Sequence, residues 1–163
     1  MARAKGSSIT NFEAWERLSG DVRAKEPPTG IREKILGSLG FDGKRLKIKS
    51  LPEINKYTNH LSWLEVIDPL IPEQPVKIIF MRELRRDDKI VQTLVITRVD
   101  VAEETHESYT ESFFILKGRC VCTVGGNVFE LGPGNYLSIP PYIPHDVRLL
   151  TPEVTAILQY QLI

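Results

Sequence analysis

Apolar positions in the first quarter of the chain recur at helical spacing. Ile9, Phe12, Trp15 and Leu18 lie on one side of a short helix that Thr10 or Asn11 can cap and that ends near Gly20. In 27-PPTGIREKILGSLGF-41 the prolines stop the preceding chain, Thr29 can cap, and Ile31, Ile35 and Leu39 follow at i, i+4 and i+8 before Gly40. From about residue 45 the pattern changes to short runs of β-branched and aromatic residues separated by proline, glycine and charged turns. The runs predict strands at 45–50, 61–67, 76–84, 89–100, 112–118, 119–124, 127–131, 136–139, 146–150 and 154–161. Turns fall at Arg86–Asp88, Gly125–Gly126 and 132-GPG-134. Strands at such short intervals predict an antiparallel sandwich or small barrel, all-β, behind one or two N-terminal helices. The expected organisation is a disordered start or expression remnant at 1–8, a helical arm at 9–44 and the barrel at 45–163.

A length of 163 residues suits one domain with a short appendage. Lysine plus arginine and aspartate plus glutamate are equal at 21 each, so bulk charge gives no reason to expect a nucleic acid or a membrane surface as partner. A small molecule or a protein suits it better. Apolar runs such as 77-KIIFM-81 and 113-FFIL-116 are too short to cross a bilayer, and the first residues lack the apolar centre of a signal peptide, so a cytoplasmic protein is expected. Cys120 and Cys122, on one face of a single strand, are expected to be reduced core or surface residues.

Candidate chemistry concentrates in 104-ETHESYTE-111. The chain has three histidines, His60, His106 and His145, and one of them sits here between Glu104 and Glu111. Glu104 and His106 share a face of an extended segment, and Glu111 opens the next strand. His145 follows the proline-rich turn 140-PPYIPH-145. If both turns meet at one mouth of the barrel, two imidazoles and one or two carboxylates converge. Such mixed nitrogen and oxygen donors suit a divalent first-row metal and leave positions open for water or substrate. Any one of these residues alone reads more readily as solvated surface than as a ligand; it is their joint pattern that points to a site. His60, in 58-TNHLSW-63, is expected at the entry to a strand.

Residues 104–118, Glu-x-His-x(4)-Glu-x(6)-Gly, resemble the first cupin motif, and Gly134-x(5)-Pro140-x(4)-His145 resembles the second, with GGNVFELGP between them. The resemblance covers roughly the last hundred residues and implies a double-stranded β-helix, the jelly-roll cupin barrel. It also implies one divalent metal ion, Zn, Fe, Mn or Ni, held by His106, Glu111 and His145, with Glu104 as a fourth ligand. Three positions depart from the family pattern. Glu104 stands where the first metal-binding histidine is usual, Tyr142 where glycine is usual, and Leu149 where asparagine is usual. Two glutamates in place of one favour harder, oxygen-preferring metals. Tyr109, Tyr142 and Arg148, close in sequence to these ligands, are candidates to line the pocket.

The segment 14–39 also resembles the link between the two halves of ChrR-type anti-sigma factors, and 61–89 resembles the entry to their cupin barrel, while the zinc-binding His-x(3)-Cys-x(2)-Cys run of their other half has no counterpart here. That resemblance implies a metal-bound sensor of a small molecule and a sigma-factor-related partner. Cupin chemistry equally admits a metal-dependent dioxygenase, or an isomerase in which Glu104 moves a proton. Open strand edges and the apolar stripe carrying Phe12 and Trp15 lead us to expect a homodimer.

Overall fold

The structure, a computed structural model, describes residues 46–163 and Ile31. The expected start at 1–8 and helices at 9–20 and 27–41, with the apolar stripe behind the homodimer expectation, fall outside these residues apart from Ile31. The described strands are β1 (Ile79–Arg86), β2 (Ile90–Thr97), β3 (Val101–Glu104), β4 (Tyr109–Lys117), β5 (Cys120–Val124), β6 (Asn127–Leu131), β7 (Tyr136–Ile139), β8 (His145–Leu149) and β9 (Val154–Leu162). They form a five-stranded sheet, β1-β2-β9-β4-β7, and a four-stranded sheet, β3-β8-β5-β6. Every ladder is antiparallel. Strands alternate between the two sheets in jelly-roll order, which closes them into a barrel-like sandwich.

The larger sheet is covered on both faces. Inside the barrel, Ile115, Val154 and Ala156 pack with Cys120, Cys122 and Leu131 of the facing sheet. Outside, Leu94, Ile96, Phe114, Leu116 and Ile157 meet Leu51, Ile54, Trp63 and Ile67. That double cover is why β2 reads as a nearly continuous buried run rather than an alternation. Gln92 and Gln159 are buried on the outer face, where Gln92 Nε2 donates to Gln159 Oε1 at 2.8 Å and to Pro52 O at 2.7 Å. Ile54 N also donates to Gln159 Oε1, at 2.9 Å, so the pair fastens the segment before the barrel to the middle of the sheet.

Two expected strands are not strands. Residues 61–67 lie in a helix, α1 (His60–Ile67). The aromatic and β-branched content of LSWLEVI favours a strand, but the Asn59 side chain accepts from Leu61 N and Ser62 N and supplies a helix cap. Trp63 and Ile67, i and i+4, then bury together against the outer face of the sheet. Tertiary packing outweighs the propensity. His60 is consequently the first residue of α1, not a strand entry, and its ring lies against Gly134. The second is the strand expected at 45–50. Ile48–Ser50 is instead a 3-10 turn, because β1 pairs with β2 alone and no ladder completes the alternation of RLKIKS.

Cys120 and Cys122 are unpaired and buried, and burial pushes their thiols up to about 11 and about 12. Gly118 turns between β4 and β5 at φ 80°, where an added Cβ would lie 2.2 Å from Glu153 O, so a side chain is excluded there. Among the described residues no helix is long and apolar enough to cross a membrane.

Replacing Trp63 by alanine should destabilise the fold by about 3–5 kcal/mol through the cavity left under α1, while Asn59→Ala should cost about 1 kcal/mol through the lost cap. Denaturant midpoints at unchanged slope check both. With both thiols protonated at pH 8, a disulfide reagent should leave the native protein unlabelled and label two thiols once it is unfolded.

Candidate metal centre

Glu111 is the deepest charged side chain of the barrel. It belongs to β4, in the middle of the larger sheet, paired with Tyr160 of β9 on one side and Ile139 of β7 on the other, and is 1% exposed. Among the described residues it makes no ion pair with lysine or arginine; the nitrogens within 3 Å of its carboxylate belong to His106 and His145. Burial pushes its carboxyl above the usual carboxylate range and Glu104 adds to this, while His106 and His145 pull it down.

His145 begins β8 on the opposite sheet and is 2% exposed. Its Nδ1 donates to the Ile143 carbonyl at 3.0 Å, which fixes the tautomer of the neutral ring and leaves Nε2 as a lone pair. That lone pair is 2.8 Å from Glu111 Oε2. His106 lies in the loop between β3 and β4. Its Nδ1 is 2.7 Å from the Tyr109 hydroxyl, and Tyr109 stacks on the ring at a centroid distance of 4.6 Å. His106 Nε2 is 2.9 Å from the same Glu111 Oε2, but without the direction of a hydrogen bond, and is left buried and unpartnered.

Glu104 reaches the site through a shift of register. It pairs with His145 across the β3–β8 ladder, and a bulge separates it from the Val101–Val147 pair. Positions three apart on a regular strand face opposite ways; the extra residue turns both Val101 and Glu104 toward the interior. Glu104 Oε1 lies 3.6 Å from Nε2 of each histidine.

One donor atom from each of Glu104, His106, Glu111 and His145 falls within 4.8 Å of all the others. A tetrahedral ion with bonds of roughly 2.0–2.1 Å separates its donors by about 3.3 Å, so the cluster has the size of a coordination sphere. The chemistry agrees with the size. A proton shared between Glu111 and His145 still leaves His106 Nε2 without a partner, whereas a cation among them answers all four donors. The residues present therefore fit a divalent metal. The second layer fits too, because each histidine is oriented through its remaining nitrogen, one by a carbonyl and one by a phenol.

The other expected pocket residues lie elsewhere. A cavity of about 220 Å³ runs between the sheets behind Glu104 and Glu111, and Tyr109, Tyr142 and Arg148 do not line it. Tyr109 is a buttress of His106; Arg148 points to solvent from β8, where its neighbour Val147 faces in. Tyr142 is 67% exposed and holds φ at 63°, the left-handed region. Its backbone N–H donates to His106 O at 2.7 Å, so this turn pins the loop carrying that histidine. The sequence did not bring out Tyr160, whose ring stands edge-on to Tyr109 at 4.5 Å and lines the cavity beside Glu111. Burial, and then the charge of Glu111, raise its phenol well above its usual value and keep it protonated. Its distance in sequence from both motifs left no signal.

Residues 92–159, which hold all four donors, match the family model of the cupin domain. The barrel has the cupin fold. Among solved structures it is similar to TT1209 from Thermus thermophilus, at 18% identity and a TM-score of 0.52, over 59% of this chain and 93% of that one. KdgF from a Halomonas species is similar at 16% identity and a TM-score of 0.50, over 56% of this chain and 86% of that one. A cupin superfamily protein from Desulfitobacterium hafniense gives 18%, 0.50, 56% and 84% in the same order. At these identities the likeness is one of fold. No curated protein matches, and the similar structures named above do not show the resemblance to ChrR-type anti-sigma factors.

Glu111→Gln should abolish metal retention while leaving the metal-free cupin at least as stable as wild type, since it removes a buried charge and keeps the shape. Metal analysis after gel filtration and thermal melts without metal check the two halves. Glycine at position 142 should leave stability unchanged or raise it by up to about 1 kcal/mol by relieving the left-handed backbone. Proline there removes the N–H bonded to His106 O and should lower both stability and metal affinity.

Proposed function

We propose that this cupin binds a small molecule through one divalent metal ion held by His106, Glu111 and His145, with Glu104 as fourth ligand. The observation that carries the reading is the pair of imidazole nitrogens close to a single buried carboxylate oxygen, at 2.9 and 2.8 Å, with His106 Nε2 left unpartnered. Once bound, the ion supplies Lewis acidity, polarising an oxygen of whatever occupies its open positions. The protein's own residues do the rest. Tyr109 and the Ile143 carbonyl hold the two rings in place, the Tyr142 turn fixes the His106 loop, and Tyr160 offers a protonated hydroxyl at the cavity wall beside Glu111. Two carboxylates among four donors suit Mn, Fe and Zn, with Ni also admitted by the imidazoles.

Glu104 supports a second reading. It lines the cavity, its side chain is partly exposed, and it lies farther from the imidazoles than Glu111 does. A carboxylate so placed can move a proton on a bound molecule, as an isomerase requires, and an iron ion with open positions suits a dioxygenase.

Protein prepared without chelator should carry about one divalent transition ion per chain, and His106→Ala or His145→Ala should each remove it. Absence of stoichiometric metal after anaerobic reconstitution with Zn, Mn, Fe or Ni would sink the proposal. Oxygen uptake by the iron-loaded protein with thiols, diketones or phenols would move the reading from binder to dioxygenase.

A further inference from the structure

We infer that the metal-bound cavity selects a neutral, mainly apolar small molecule with one oxygen donor at its end, of the class of alkylphenols and simple ketones, and rejects sugars and polyanions. The inference rests on the metal reading above and adds what the rest of the cavity demands. Among the described residues its polar lining is confined to Thr97, Glu104, Glu111, Tyr160 and Cys120; the remainder is apolar, and no described lysine or arginine lines it.

Three physical consequences follow from that wall. An anion finds no cation there except the metal, whose two charges Glu104 and Glu111 already balance, so a carboxylate or phosphate would be desolvated for little return. A sugar brings several hydroxyls into a space where Tyr160 is the neutral hydroxyl partner, the Thr97 hydroxyl being bonded to the Val99 backbone, and each unmatched hydroxyl opposes entry. An apolar body instead buries against Phe113, Ile115 and Leu158 and places its one oxygen at the carboxylate end.

Size narrows the class further. A cavity of about 150 Å³ lined by aliphatic and aromatic residues accommodates benzene. The present one, about 220 Å³, fits one substituted ring or a short branched chain. Its exposed lining residues, Ile79 (49%) and Met81 (54%), lie on β1, an edge of the larger sheet, and Val101 lies on β3, an edge of the smaller one. The cavity thus reaches the surface between these two edges, at apolar side chains.

The test uses the full chain loaded with zinc, which is redox-silent, and titrates 4-methylphenol, xylose and succinate by calorimetry, with zinc content measured on the same samples. Saturable binding of 4-methylphenol is expected, with xylose and succinate at least tenfold weaker. Ala156→Leu and Val95→Leu, which fill the cavity away from the ligands, should each weaken 4-methylphenol at least tenfold at unchanged zinc content. Zinc retention certifies whichever variant folds. Zinc bound without any 4-methylphenol binding, or xylose or succinate binding as tightly, overturns the inference and leaves the metal reading standing. Failure to retain zinc sinks the metal reading itself, and equal affinity of 4-methylphenol for zinc-free protein shows that its oxygen does not meet a metal and also overturns the inference.

Discussion

A carboxylate buried on an inner strand of a sheet, with two imidazoles close against one of its oxygens, is the constraint on which the rest of the barrel depends. Burying an unpaired carboxylate costs several kcal/mol even after relaxation, which is why such groups are paired, protonated or bound to an ion. Glu111 has no lysine or arginine ion-pair partner among the described residues, and the two sheets bring His106 and His145 to it from different elements. The jelly-roll order makes the meeting: β4 lies in one sheet and β8 in the other, so Glu111 and His145 face each other across the interior.

Holding four donors to fractions of an ångström needs a rigid wall behind them. The larger sheet supplies it because both its faces are packed, the inner against the facing sheet and the outer against α1 and the segment at 51–54. Gln92 and Gln159 close that outer layer with hydrogen bonds rather than apolar contact, giving the incoming chain a defined register on the sheet. The smaller sheet has Val128 and Phe129 exposed on β6, and it contributes His145 and Glu104 from its inner face. One sheet is the platform and the other closes over it.

Legibility in the sequence followed the periods. Strands flanked by strong turn signals, such as β5, β6 and β7, stand where alternation and glycine placed them, because a two-residue pattern and a tight turn are both local. Local signals failed where a distant surface decided. LSWLEVI has the composition of a strand and becomes α1 because Asn59 caps it and Trp63 and Ile67 have a sheet to lie on. The four donors stand together in the structure, but the spacing of ETHESYTE alone does not explain how Glu104 joins them. An extended segment would put it on one face with His106, whereas a bulge after Val101 turns it inward, and a bulge leaves little trace in residue types. Tyr160 was invisible for a simpler reason, since only the β9–β4 ladder brings it to Glu111.

The departures from the family pattern bear on one another. Tyr142 occupies a left-handed backbone position that costs a residue with a side chain about 1–2 kcal/mol, and such strain persists where the surroundings over-determine it. Here the determinant is the bond from its N–H to His106 O, which holds a ligand loop against a turn fixed by Pro140, Pro141 and Pro144. The Tyr142 side chain, largely in solvent, adds little to the packing, so the constraint belongs to the backbone. Glu104 in place of an imidazole changes the charge instead of the shape. With Glu111 it makes a donor set of two minus charges, which a divalent ion neutralises fully, whereas three histidines and one glutamate would leave the ion a net positive charge. A neutral centre in an apolar cavity would polarise an oxygen by direct coordination but gather no anions from a distance, unlike a positively charged centre of the same geometry.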